Sequence, residues 1–326
     1  MRRKDVALMV FDCVLFDIDG VLVDIRRSYN AAIKKTAEVM LRRLTGRSYH
    51  HLVTDQIILK FRHTGGFNND TDTSYAIILA MLANPQKNIM EGRKWLEQVA
   101  ENADQRGYPS VEKFLAGYDI ERWKSALVYP APVNESMMAR VFDELFYGPE
   151  LFRKQNHLEP NYWKGRPLIK NDRLAVTKKT MQKIQKMFGN NIGIVSGRSR
   201  LAAEYSLGPA MLKYFNPDAC VFLEDQMRKY AKPNPYAIKR AMQALNAKSS
   251  IYVGDSVEDL LMTRRAEKEL RAKIAFIGIY GYSPQPSRTA AIFKKESIAA
   301  LTKSINQLPN TINKVLQLGR TPPLKI

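Results

Sequence analysis

The sequence predicts an α/β fold: a parallel β-sheet covered by helices on both faces, with a mainly α-helical domain inserted after the first strand. Three observations carry that expectation. Short, uninterrupted apolar runs recur at 13–16, 192–195, 219–223, 250–253 and 274–279, the pattern of strands buried on both faces. Helical patterns at 174–188, 235–245 and 257–270 separate the later runs, and strands alternating with helices of that length build a parallel sheet. Residues 25–170 read differently. Tyr29, Ile33, Ala37, Leu41 and Leu44 recur at helical spacing with Arg and Lys opposite them, which is an amphipathic helix. Further helical stretches follow at 75–82, 92–100, 111–116 and 135–146, and nothing in the segment alternates as a strand would. The expected domains are therefore an α/β core of 1–24 with 171–326, and a helical domain of 25–170.

Composition narrows the function classes. At 326 residues the chain holds two domains or one elaborated one. Its 45% hydrophobic and 25% charged residues exclude a disordered or fibrous protein. No apolar run approaches the ~20 residues that cross a bilayer. The stretch at 6–11 after Arg2, Arg3 and Lys4 imitates a signal peptide, but Asp12 interrupts it. A cytoplasmic protein with no membrane partner is expected. Cys13 and Cys220 lie in apolar stretches, so both are expected to be buried, inert thiols. Trp95, Trp123 and Trp163 all fall in the insertion, where they are expected in its core. The formal charge of +19 is spread over both segments. Such a field attracts anions, phosphorylated metabolites and nucleic acid alike, and selects for sign only.

The chemistry concentrates where strands end. Phe16-Asp17-Ile18-Asp19-Gly20 places two carboxylates at the carboxyl end of the first strand, where open α/β sheets bind ligands. Gly20 permits a sharp exit. The run 192–199 ends its strand on Ser196, followed by Gly197. Lys232 lies in Ala231-Lys-Pro-Asn-Pro235, just ahead of a helix marked by its prolines. The run 251–259 ends its strand on Gly254-Asp255, with Asp259 one helical turn further. Each element alone reads as a cap or a solvated charge; four in this order do not.

Those four motifs resemble the haloacid dehalogenase superfamily, end to end over the core. The resemblance implies a Rossmann-like sheet with a helical cap between the first and second motifs. Gly20-Val-Leu-Val-Asp24, Ser28-Tyr29 and Gly65-Gly-Phe-Asn-Asn-Asp70 further resemble a phosphatase-like, largely uncharacterised subfamily of archaeal and bacterial hydrolases. The expected activity is Mg²⁺-dependent hydrolysis of a phosphomonoester. Asp17 is the expected nucleophile, forming an aspartyl-phosphate. Asp17, the backbone carbonyl of Asp19, and Asp255 are the expected Mg²⁺ ligands. Asp19 is the expected general acid and base. Ser196 and Lys232 are expected to hold the phosphoryl oxygens, with Gly20 and Gly197 N–H groups as further donors and Asp259 orienting Lys232 or a metal-bound water. Dehalogenases acting on carbon lack an acid at the Asp19 position, so phosphoryl transfer is favoured.

The insertion is expected to choose the substrate, a small phosphorylated metabolite, through Asn68, Asn69 and Asp70 beside Gly65-Gly66. A solvent-exposed turn explains the same loop equally well. His50, His51 and His63 do not suggest zinc, since adjacent histidines are expected to point apart and no Cys is near. Two alternatives remain open at this stage: a phosphomutase on the same core, and a nucleic-acid-end phosphatase or nucleic-acid-binding protein. For the latter, Lys178, Lys179, Lys183 and Lys186 share one helix with Arg173 close by, but no recognised binding module accompanies them. The sequence does not determine the oligomeric state.

Overall fold

The computed structural model describes residues 11–318 except 68, 87 and 284. The apolar run at 6–11 therefore lies, but for Phe11, outside the described residues. So does Asn68. The chain divides into two compact units: Met1–Asp24, Leu174–Asp255 and Asp259–Ile326 form one, Ile25–Arg173 with Ser256–Glu258 the other.

The first unit is built on a parallel sheet. Its strands are β1 (Cys13–Phe16), β4 (Ile192–Ser196), β5 (Cys220–Phe222), β6 (Ser249–Gly254), β7 (Lys273–Ile279) and β8 (Ala300–Thr302), while β2 (Val23–Asp24) and β3 (Arg173–Leu174) pair separately. The six-stranded order is β5-β4-β1-β6-β7-β8, and every pairing in it is parallel. All four residues of β1 and all five of β4 are buried, as their unbroken apolar sequences require. From β1 the chain builds outward on one side through β4 and β5, then crosses back to lay β6 on the other. The switch point of this α/β sheet thus lies between β1 and β6, where such sheets open a crevice. Helices α8 (Lys178–Phe188), α9 (Arg200–Leu207), α10 (Pro209–Leu212), α11 (Tyr236–Ala244), α12 (Val257–Leu270, from Asp259 onward), α13 (Pro286–Lys295) and α14 (Leu308–Leu318) complete the unit.

The second unit holds α1 (Tyr29–Thr45), α2 (Asp55–Arg62), α3 (Asp70–Ala83), α4 (Ile89–Glu101), α5 (Tyr108–Phe114), α6 (Glu121–Leu127) and α7 (Met137–Asn156). Side chains set several of its boundaries. Thr54, Asn69, Asn88 and Ser136 each cap the helix that follows, accepting a backbone N–H. Helix α3 is buried along nearly its whole length, from Asp72 to Leu82, which makes it the axis of this unit.

Three expectations need correction. Trp95 is buried, but Trp123 and Trp163 are only half-buried, so the tryptophans are not all core. Cys13 is buried and Cys220 half-buried; burial pushes both thiols up to about 11, so they stay protonated at neutral pH. His50 and His51 do not point apart: their ring centroids lie 3.8 Å from one another. No helix among the described residues is long and apolar enough to cross a membrane.

Candidate active site

Register places the motif residues beside one another. Phe16 pairs with Ile194 of β4 and with Val253 of β6. The next residues out of those strands are therefore neighbours at one sheet edge: Asp17 after β1, Ser196 at the end of β4, and Asp255 after β6. The Asp17 N–H donates to Val253 O at 2.9 Å, extending the ladder by one step. Beyond it the chain turns tightly, with Val21, Leu22 and Val23 N–H groups all donating to Ile18 O. Gly20 takes a φ of 69° there. A Cβ at this position would lie 1.9 Å from Asp255 Oδ2. Glycine is required twice, by the left-handed backbone and by the carboxylate packed against it.

Carboxylate oxygens of Asp17, Asp255 and Asp259 lie within 4.8 Å of one another. Lys232 reaches into this cluster, its Nζ 3.0 Å from Asp17 Oδ1 and 2.7 Å from Asp259 Oδ1. All three members of that bridge are buried. The turn that delivers Lys232 is held by its own residues. Asn234 Nδ2 donates to Lys229 O at 2.9 Å, its Oδ1 accepts from Tyr236 N at 2.9 Å, and Tyr230 stacks on Tyr236. Burial alone would lower the Lys232 ammonium, but the Asp17 and Asp259 carboxylates outweigh it and hold it above its ordinary range. Burial pushes the Asp17 carboxyl up, to about 7; Lys232 opposes that shift, and Asp259 and Asp19 add to it.

Asp259 is turned inward. Its Oδ1 also accepts from the Tyr252 hydroxyl at 3.1 Å, and its Oδ2 accepts from Asp255 N at 3.2 Å. Protein donors thus occupy both of its oxygens. The Asp19 carboxylate is absent from the three-carboxylate cluster; it accepts from Arg198 Nε at 2.5 Å. Ser196 is fully buried, and its Oγ lies 3.4 Å from Arg198 N. Gly197 is exposed. One expected donor gives way: the Gly20 N–H donates to Val23 O at 2.9 Å, closing the turn rather than facing a ligand.

The structure therefore brings Asp17, Lys232, Asp255 and Asp259 into contact and sets Asp19 against Arg198. In the helical unit Asn69 is exposed and caps α3, and Asp70 pairs with Arg62 at 2.6 Å. Two residues escaped the sequence reading. Tyr252 reads as an ordinary strand residue, though its hydroxyl ties Asp259 to Val195 O. Arg198 reads as a turn cation, and only its place directly after Ser196-Gly197 could have singled it out.

The donor set suits a hard divalent cation. The cluster offers carboxylate oxygens and no sulfur or imidazole, the chemistry that holds Mg²⁺. The Asp255 carboxylate occupies the space a Cβ of residue 20 would fill, within 4.8 Å of Asp17 and Asp259 oxygens.

Residues 169–267 match the family model of the haloacid dehalogenase-like hydrolases. No curated protein matches the chain. Among solved structures, a structural-genomics target is similar with a TM-score of 0.61 at 16% identity, covering 94% of this chain and 99% of its own. A phosphonoacetaldehyde hydrolase-like protein from Oleispira antarctica gives 0.54 at 13% identity, covering 98% of each chain. A phosphatase from Thermococcus thioreducens gives 0.53 at 24% identity, covering 81% of this chain and 91% of its own.

Proposed function

We propose that the protein is a Mg²⁺-dependent phosphatase acting on a small phosphomonoester, a reading supported by the match of residues 169–267 to the haloacid dehalogenase-like hydrolase model. The observation that carries this reading is the Asp17–Lys232–Asp259 bridge beside Asp255. It combines a nucleophile with a fixed positive charge at the edge where the sheet opens.

In this reading Asp17 attacks phosphorus, so a bond forms from its carboxylate oxygen as the bond to the leaving oxygen breaks. Asp19 gives its proton to that leaving oxygen, then takes one from the water that hydrolyses the aspartyl-phosphate. Lys232 holds a phosphoryl oxygen as a point charge, with the Ser196 hydroxyl beside it. Asp259 keeps the ammonium aimed at Asp17, and Tyr252 keeps Asp259 in place. Asp17, Asp255 and the Asp19 backbone carbonyl would hold Mg²⁺. When bound, the cation neutralises charge between a carboxylate nucleophile and an anionic substrate. The basic surface of the chain favours the approach of such a substrate.

A panel of phosphorylated metabolites, assayed with Mg²⁺ for inorganic phosphate, tests the proposal. Phosphate release that stops on chelation is expected. Isomerisation without phosphate release would assign the core to a mutase, and no turnover of any monoester would end the reading.

A further inference from the structure

Arg198 has the largest of the fully buried side chains among the described residues. A guanidinium is costly to bury unless a carboxylate and hydrogen-bond acceptors compensate for lost water. Here the compensation is directional. Arg198 Nε donates to Asp19 Oδ1 at 2.5 Å and Nη1 donates to Ser206 Oγ at 2.7 Å. The backbone carrying the side chain is anchored as well. Ser199 N donates to Glu224 Oε2 at 2.9 Å and Arg200 N to Asp225 Oδ2 at 2.8 Å, both acceptors lying just past β5. The arginine is therefore braced at the end of α9 and on the β5 side, and it presents its Nε–H to Asp19. Asp19 is the more exposed partner by contrast. Its side chain is 24% exposed and sits on the 18–23 turn, whereas the arginine side chain has no exposed surface.

We propose that Arg198 is the positioning residue for Asp19. It fixes where the carboxylate stands, so that the proton is delivered to the leaving oxygen of a bound phosphomonoester. A rigid guanidinium fork suits this task, because its planar donors fix direction as well as distance. Lysine offers charge without that direction. The proposal rests on the reading of Asp19 as general acid, and its test separates the two.

The test uses the dependence on leaving group. An aryl phosphate such as p-nitrophenyl phosphate departs with little need of a proton; a simple alkyl phosphate needs one. The ratio of kcat/KM for the two reports the protonation step alone, because kcat/KM extends only through cleavage of the ester bond. Misplacing a reacting group by about 1 Å can cost on the order of 10²-fold. Arg198→Gln is therefore expected to lower the alkyl-to-aryl ratio roughly 10²-fold. Arg198→Lys should fall between it and the wild type. A buried substitution can fail to fold, so Ser206→Ala provides a milder route. It removes the Nη1 anchor, leaves the Asp19 pairing in place, and should shift the ratio in the same direction, with a fall in melting temperature no larger than one unmet buried donor causes.

Asp19→Asn is measured alongside. If Asp19→Asn lowers the ratio while the Arg198 and Ser206 variants leave it unchanged, the positioning role is overturned and the acid survives. The same holds if those variants depress both substrates equally, which is the signature of a purely structural arginine. If Asp19→Asn itself leaves the ratio unchanged, the acid assignment fails and the positioning role falls with it.

Discussion

In the α/β unit the buried charges meet other charged side chains: Lys232 bridges Asp17 and Asp259, and Arg198 meets the half-buried Asp19. In the helical unit the fully buried Glu144 is consumed by backbone. It accepts from the N–H groups of Asn161, Tyr162 and Trp163, and from Arg140 Nε at 3.0 Å. The difference teaches how to tell a reactive charge from a structural one when both are buried. Asp17 and Asp259 each accept from one backbone N–H besides Lys232, so the lysine can be shared with a ligand while that backbone contact stays. A carboxylate that satisfies three consecutive amides cannot move without unmaking a loop.

The largest effect expected from that contrast is at Asp17. Asp17→Asn should lower phosphate release by at least ~10³-fold, because an amide neither attacks phosphorus nor binds a divalent cation well. Residual turnover above a tenth of wild type would remove Asp17 as nucleophile. Next comes the cation. Excess chelator should abolish turnover and Mg²⁺ should restore it, while Asp255→Ala should raise the Mg²⁺ concentration needed without unfolding the protein. Of the clustered carboxylates, Asp255 is the one to choose, since Asp259 is bound on both oxygens by the protein's own donors. Full activity in excess chelator would overturn the metal assignment.

The two units also differed in how far they could be read in advance. Buried parallel strands must be continuously apolar, so the runs in the sequence fall on β1, β4, β5, β6 and β7 to within one or two residues. Strand β8 has three residues at a sheet edge, and the short run at 298–301 that ends in it was not singled out. Helix α3 begins five residues before the stretch that periodicity marks. Its first turn, Asp70-Thr71-Asp72, is polar, and Asn69 starts it by capping. Helix α7 continues to Asn156 past Gly148-Pro149, where a Gly φ of 65° absorbs a kink that a pattern search reads as an end. At the candidate site the carboxylates were visible because strand ends announce them. Arg198 and Tyr252 were not, because their importance lies in partners brought from distant sequence.

Glu144 tests the structural half of the comparison. Glu144→Ala strands three amides and removes the partner of the half-buried Arg140, which should cost about 3–5 kcal/mol of stability. Urea denaturation would register the loss, while KM for a simple aryl phosphate should stay near its wild-type value in the folded fraction. A changed KM with unchanged stability would give Glu144 a role in binding and erase the distinction between the units.

The smallest effect is expected in the 65–70 loop, where the two uses of polar side chains compete. Asn69 Oδ1 accepts from Thr71 N at 2.9 Å and so caps α3. Asp70 pairs with Arg62, which also donates to Asn30. These side chains already serve the helical unit, and whether the loop also selects substrate is decided by separating cap from contact. Asn69→Ala should lose the cap, about 1 kcal/mol of stability. If Asn69 also touches the leaving group, turnover of the preferred metabolite should fall roughly 10-fold, the value of one neutral hydrogen bond, with aryl phosphate unaffected. Asn69→Asp keeps an oxygen for Thr71 N and discards the amide. Stability and metabolite turnover restored together would make Asn69 a cap and nothing more. Stability restored with turnover still depressed would show that the amide itself meets the substrate, and that a helix cap in this unit can carry specificity as well.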